Sequence, residues 1–269
     1  MNRNALLLAS SLLILIAGCN KRNTIGNGKV VFQNRDIKGY NSISINGAYD
    51  VYLKNGSSES LIVEADENLM SVIKTELRGN TLEVFNSENI IRSKDLKLII
   101  TNPNLNNLNF SGAVQLTSDT GLTFKNLAIN ISGIGRIDLA LNAESLTSVA
   151  SGGADITFRG KVNTFNVTIT GTGSVDAENL ESKECDVVIS GLGKARVCAE
   201  KKLNVNISGL GKVDYKGNPH INQVISGAGN DFTFSADGPF AEDFRASWRT
   251  VMNYVWHGNP NYTWNIVHF

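Results

Sequence analysis

Cysteine, proline and histidine are all scarce in this chain of 269 residues, with three, four and three copies. Each scarcity removes a class of protein. One cysteine, Cys19, closes an apolar N-terminal stretch, so only Cys185 and Cys198 remain for the body of the chain. Two residues make no disulfide framework, and with no histidine beside them they are a poor zinc site. His220, His257 and His268 share no ligand spacing, and no nucleophile elbow or His-centred triad appears. No catalytic residue, metal site or cofactor is therefore expected. Few prolines beside 25 glycines fit a chain with many tight corners and few rigid ones. An excess of either charge is lacking too: 25 basic residues balance 25 acidic ones, which leaves no electrostatic case for nucleic acid.

What the chain has in abundance is one short phrase. It runs Ser111-Gly112-Ala113, Ser132-Gly133-Ile134-Gly135, Ser151-Gly152-Gly153, Thr170-Gly171-Thr172-Gly173, Ser190-Gly191-Leu192-Gly193, Ser208-Gly209-Leu210-Gly211 and Ser226-Gly227-Ala228-Gly229, with starts 21, 19, 19, 20, 18 and 18 residues apart. So steady a period marks a solenoid, in which each repeat buries its apolar face against its neighbours. Apolar residues stand one, three and five before the phrase, as in Ile169, Val167 and Phe165, and again five and seven after it, as in Val175 and Ala177. That alternation places one strand before each phrase and another after it, with the glycines at a corner that needs positive φ or close-packed backbone. Rungs of about 19 residues built this way predict an all-β, single-stranded parallel β-helix, not a sandwich joined by hairpins. The corner hydroxyls are expected to stack as a ladder.

The same register fixes other faces. Cys185 falls inward and Cys198 outward, so no bond between them is expected. Four after each corner, an outward column runs Gln115, Arg136, Asp155, Ser174, Lys194, Lys212, Asn230; six after, a second runs Thr117, Asp138, Thr157, Asp176, Arg196, Asp214. Column neighbours are ~4.8 Å apart, so Asp176, Arg196 and Asp214 are expected to pair. A solvated face is one reading of these columns. The other is a ligand-facing ladder of Arg136, Asp155, Lys194, Lys212, Asp176, Arg196 and Asp214, with Lys194 and Lys212 meeting anionic sugars of a polysaccharide. The Gly-x-Gly phrases lack both Rossmann and P-loop spacing and are read as corners. Calcium rolls use a nine-residue period, which is not seen here. β-Helix enzymes acting on polysaccharides gather carboxylates on one face, whereas the signs are mixed here.

Residues 1–18 read as a signal peptide: Arg3, then an apolar core from Leu6 to Ile16 too short to span a bilayer. Its end, Ile16-Ala17-Gly18-Cys19, resembles the lipobox of bacterial lipoproteins. The resemblance implies cleavage before Cys19, acylation of its sulfur and, with Asn20 rather than Asp next, the outer membrane, on its periplasmic side or at the cell surface. Residues 19–29 are expected to be the lipidated cysteine and a flexible tether, 30–235 the β-helix and 236–269 a C-terminal cap. Within the second part, Ile43–Leu53 repeats the rung grammar with Asn46 in the serine slot. Leu61–Val63, Leu82–Val84 and Leu96–Ile100 read as strands, and Glu67–Ile73 as one or two helical turns with Asp66 as N-cap. In the tail, Phe240, Phe244, Trp248, Val251, Met252 and Val255 keep helical spacing, and Tyr262, Trp264 and Ile266 alternate as a strand. They are read as covering the last rung, or alternatively as an aromatic surface for a partner.

Ile45-Asn46-Gly47-Ala48-Tyr49-Asp50-Val51-Tyr52-Leu53, Val63-Glu64-Ala65-Asp66-Glu67-Asn68-Leu69 and the Ser-Gly-x-Gly ladder together resemble the putative auto-transporter adhesin, head GIN domain family, over roughly residues 33–230. The resemblance implies an exported bacterial protein with a right-handed β-helix fold, and it carries over no catalytic residues. The expectation is a non-catalytic, lipid-anchored envelope module that displays a repetitive face to a glycan or protein. A self-assembling envelope protein and a polysaccharide-active enzyme are the alternatives.

Overall fold

The structure is a computed structural model that describes residues 21–119 and 121–226 and the backbone of the strand Asp231–Phe234. The leader, Cys19, the 236–269 segment and Gly227–Asn230 lie outside the described residues.

From Leu122 onward each turn of chain lies on the one before it. The strands β12 (Leu122–Ile131), β13 (Ile134–Ala150), β14 (Gly153–Ile169), β15 (Thr172–Ile189) and β16 (Leu192–Ile207) pair in parallel, each with the next, and β17 (Leu210–Lys216) and β18 (His220–Ile225) both continue from β16. The corner phrase is the one place where each strand breaks. The alternation read from the sequence is the stacking order: Leu127, Leu146, Phe165, Cys185 and Leu203 align rung on rung, and each is fully buried. Rings of Phe158 and Phe165 meet edge to face at 5.8 Å inside this column of side chains. The chain is thus a β-solenoid of about six turns with about 19 residues per rung.

The corners explain their own composition. Gly112, Gly133, Gly152, Gly171, Gly191 and Gly209 do not adopt positive φ. A Cβ at Gly171 would instead stand 2.1 Å from the carbonyl oxygen of Gly152, and the others are as tight against the rung below. Close approach of backbones, not dihedral freedom, therefore demands glycine here. The hydroxyl ladder takes a different form from the one expected. Ser132 sends both its backbone N–H (2.9 Å) and its Oγ (3.2 Å) to the carbonyl of Phe110, and Ser151 does the same to Ile131. Each hydroxyl thus adds a second donor to a carbonyl one rung down that already takes the same residue's N–H.

Rung length varies only away from the corner. The 20-residue repeat starting at Thr170 is followed by one of 18. Pairing passes from Ala177–Val197 to Glu181–Cys198, so residues 178–180 bulge out of the β15–β16 ladder.

The N-terminal end is built otherwise. The strands β3 (Ser42–Asn46) and β4 (Ala48–Leu53) form a rung with the same grammar, sandwiched between two others. On one side lie β10 (Asn107–Phe110) and β11 (Ala113–Ser118); on the other lie β7 (Thr81–Asn86) and β9 (Leu96–Thr101), all in parallel. The chain thus lays β3–β4, travels outward to add β7–β9, then returns to the inner side. Antiparallel strands finish the end: β2 (Val30–Arg35) on β5 (Ser60–Asp66), β5 on β9, and β6 (Ile73–Arg78) on β7 around Gly79 at φ 61°. All of this shares one buried core with the ladder, running from Tyr40 to Val213.

Two expectations are corrected here. Glu67–Leu69 is a single 3-10 turn, and Asp66 makes no side-chain cap to it. Its buried carboxylate accepts from the backbone N–H of Lys94 at 2.7 Å instead, while Ile73 already belongs to β6. Nor is the stretch up to residue 29 wholly a tether. Its residues Asn23–Ile25 form β1, which pairs in parallel with β8 (Asn89–Arg92) as a separate two-stranded ribbon. Lys21 Nζ donates to the carbonyl of Asn86 (2.8 Å), and Asn89 N–H to that of Arg22 (2.7 Å), so the seat begins at the first described residue. Both remaining cysteines are free, Cys185 buried and Cys198 half-buried, as the register requires. Burial raises both thiols, that of Cys185 far above the usual range.

Candidate functional site

The strand after each corner projects the two outward columns in register. Asp50, Gln115, Arg136, Asp155, Ser174, Lys194 and Lys212 form the first, and Tyr52, Thr117, Asp138, Thr157, Asp176, Arg196 and Asp214 the second. Asp50 and Tyr52, contributed by β4, extend the two columns read from the sequence by one rung. Beyond Lys212 the register partner is Asp231, not the expected Asn230.

The two halves of this face differ in charge pairing. In the half farther from the N-terminus the charges neutralise one another. Arg196 bonds Asp176 and reaches Glu178 (3.5 Å), and Lys216 also binds Glu178 from the bulge. Asp214 stands 3.3 Å from both Lys194 and Lys212. Of the expected triple the Asp176–Arg196 pair forms, with Arg196 also reaching the bulged Glu178, while Lys194 and Lys212 flank Asp214 instead. Arg159 binds Asp138, which raises the guanidinium's pKa further.

Near the N-terminal end the face is open. Asp155 accepts from Ser174 Oγ, but among the described residues the side chains of Arg136 and Asp50 have no hydrogen-bond or ion-pair partner. These residues floor a groove of about 940 Å³. Its floor carries Asp50, Gln115, Arg136 and Asp155 beside the corner residues Ala48, Ala113, Ile134 and Gly153. Its far wall is β8, with Ile90, Ile91 and Arg92, and Lys21 closes one end. Tyr49 sits beneath it, its hydroxyl bonded to Asn86, and burial raises the phenol far above its ordinary value so that it stays neutral. Ile134, 71% exposed on the floor, and Ile90 of the far wall line the groove together with the charged residues, so apolar surface and unpaired charge face the same space.

Of the residues expected to face a ligand, the structure brings Arg136 and Asp155 into this groove. Lys194, Lys212, Asp176, Arg196 and Asp214 stay on the paired part of the face. Sequence spacing missed the groove because its wall is a strand that leaves the stack. Among the described residues, no three His, Cys, Asp or Glu side chains gather as a metal site, and no helix is long and apolar enough to cross a membrane.

Comparison with known proteins follows the same lines. The structure resembles that of a putative adhesin from Bacteroides fragilis, with a TM-score of 0.72 at 23% identity over 78% of this chain and 98% of that one. It also resembles a putative lipid binding protein from Parabacteroides distasonis, with a TM-score of 0.64 at 22% identity over 80% and 100%. A putative adhesin from Parabacteroides merdae gives 0.61 at 20% identity over 80% and 99%. At such identities the likeness is one of fold. No curated protein matches. The family model for the putative auto-transporter adhesin, head GIN domain, matches residues 39–219, which runs from the first rung through the last corner before β18, and the chain belongs to that family.

Proposed function

We propose that the protein is a non-catalytic binding module of the cell envelope, held to the outer membrane through lipid on Cys19, that takes a polysaccharide chain into the groove between β8 and the first column. The observation that carries the reading is the groove itself. A sugar ring offers hydroxyls to unpaired charged groups and a C–H face to apolar ones, and Arg136, Asp50, Ile134 and Ile90 supply both at one place. Family membership and the adhesin-like structural relatives support a role in attachment at the envelope or surface. The mixed signs along the columns favour binding over turnover, since general acid–base work on glycosidic bonds needs a carboxylate pair held across one bond.

A glycan array probed with the chain from residue 20 onward, with and without Arg136→Ala, tests this. The variant should bind about tenfold more weakly, the loss of one charge-assisted hydrogen bond of roughly 1.5 kcal/mol. Lys194→Ala should bind as the parent does. Binding to protein but no glycan, binding indifferent to Arg136, or cleavage of a bound glycan would each overturn the reading.

A further inference from the structure

We infer that the outward face of the β1–β8 ribbon is a membrane-contact surface that lies in the anionic headgroup layer, so that the solenoid is anchored close to the bilayer by its N-terminal end. This rests on lipidation of Cys19 and adds to it the part of the protein that meets the lipid.

Reach is the first argument. Lys21 and Arg22 are already fastened to the domain through Asn86 and Asn89. Only Asn20 separates Lys21 from Cys19, and two residue steps span at most about 7 Å. The headgroup layer of one leaflet is roughly 5–7 Å thick. An acylated Cys19 cannot hold its chains in hydrocarbon without bringing the ribbon to the headgroups.

The chemistry of the ribbon fits that position. In its register Thr24 meets Ile90 and Ile25 meets Arg92, so Ile91 is the extra residue at a bulge. Thr24 and Ile90 turn toward the domain and are half-buried, whereas Ile25 is 62% exposed and Ile91 56%. Around these two isoleucines stand the exposed cations Arg22, Arg92 and Lys94, whose side chains have no hydrogen-bond or ion-pair partner among the described residues. Of the nearby acids, Glu67 is paired with Lys29 at 2.9 Å, whereas Glu88, which accepts from Thr24, and Asp95 keep their charge and are outnumbered by Lys21, Arg22, Arg92 and Lys94. Exposed isoleucines among unpaired cations suit an anionic lipid surface, where the cations gain from the surface potential and the apolar groups from the acyl boundary.

The test uses the mature chain with Cys198→Ser and a genetically encoded fluorescent amino acid at Asn23, or at Asn206 as control. Asn206 lies on the same register as Ser44, Asn109, Asn130, Val149, Thr168 and Val188, the far end of a file of rungs ~4.8 Å apart. Mass analysis first reports whether Cys19 is acylated; if it is not, the attachment reading fails, and Cys19 is coupled to a maleimide-headgroup lipid so that the surface is still tested. In phosphatidylglycerol-containing vesicles carrying a headgroup nitroxide, the probe at 23 should be quenched several-fold more than that at 206. In the chain from residue 20 onward, which no lipid holds, Arg22→Glu with Arg92→Glu and Lys94→Glu, or Ile25→Ser with Ile91→Ser, should lower cosedimentation with phosphatidylglycerol vesicles several-fold. Equal quenching at the two positions of the lipidated chain, or cosedimentation of the lipid-free chain that is absent or that neither set of substitutions changes, would overturn the proposal.

Discussion

Between Leu122 and Lys216 the chain lays every turn on its predecessor, whereas between Ser42 and Phe110 it lays one turn, steps outward, and returns to the other side. The difference separates two physical tasks. A middle rung has neighbours above and below, so one solution can be repeated: apolar residues inward, Ser-Gly at the bend, charge outside. A terminal rung has a neighbour on one side only and must stop the exposed ladder from pairing with another chain. Here β5 and β6 run antiparallel to the rungs they cover and β2 runs antiparallel to β5, and their sequences follow no period because nothing repeats.

Breaking the core should be the most damaging test of whether these two regions are one folding unit. Phe158→Ala in the ladder should destabilise by about 4 kcal/mol, and Leu69→Ala at the N-terminal end by roughly 3 kcal/mol. Both residues belong to one buried cluster, so urea titration should show a single transition shifted in each variant. Two separated transitions would divide the molecule.

The corner glycines sharpen the comparison. Gly171→Ala places its Cβ 2.1 Å from a carbonyl oxygen and should cost on the order of 3 kcal/mol, the upper end for overpacking. Gly79→Ala, at φ 61° with open space around it, should cost about 1 kcal/mol. Equal losses in melting experiments would mean that dihedral preference, not rung-to-rung contact, selects glycine at the corners.

These contrasts also explain what the sequence made legible. The ladder could be read because inward and outward positions alternate around a fixed corner, and Cys185 inside with Cys198 outside followed from counting alone. Where the chain departs from sequential stacking, counting fails. Nothing local to Asn89–Arg92 says that this strand leaves the main sheet to pair with Asn23–Ile25, and the groove exists only because it does. The partners of Asp214 were equally hidden. Register places Arg196 beside it, but the bulge at Glu178 draws the guanidinium away, and the lysines of the other column stand close instead.

Smaller effects test the charge pattern. Glu178→Gln removes contacts to Arg196 and Lys216 in a half-exposed cluster and should change stability by at most about 1 kcal/mol, as exposed pairs do. The slightest effect should come from Asp119. Its bond from the Tyr52 hydroxyl, helped by Asn55 N–H, holds its carboxyl below the ordinary carboxylate value. A lowered folded-state value gives a contribution that is whole above the unfolded carboxylate's range and is lost as pH falls through the lowered one. Urea midpoints of Tyr52→Phe and the parent, compared at neutral and acidic pH, should therefore converge on acidification.

The bulge at residues 178–180 has one more consequence. A repeat of 20 residues and another of 18 both arrive at the next bend in step, since Gly171, Gly191 and Gly209 still stand directly over one another. Each bend thus works as the zero mark of a ruler: a length error made within one storey is absorbed at the outer wall and never handed to the storey above.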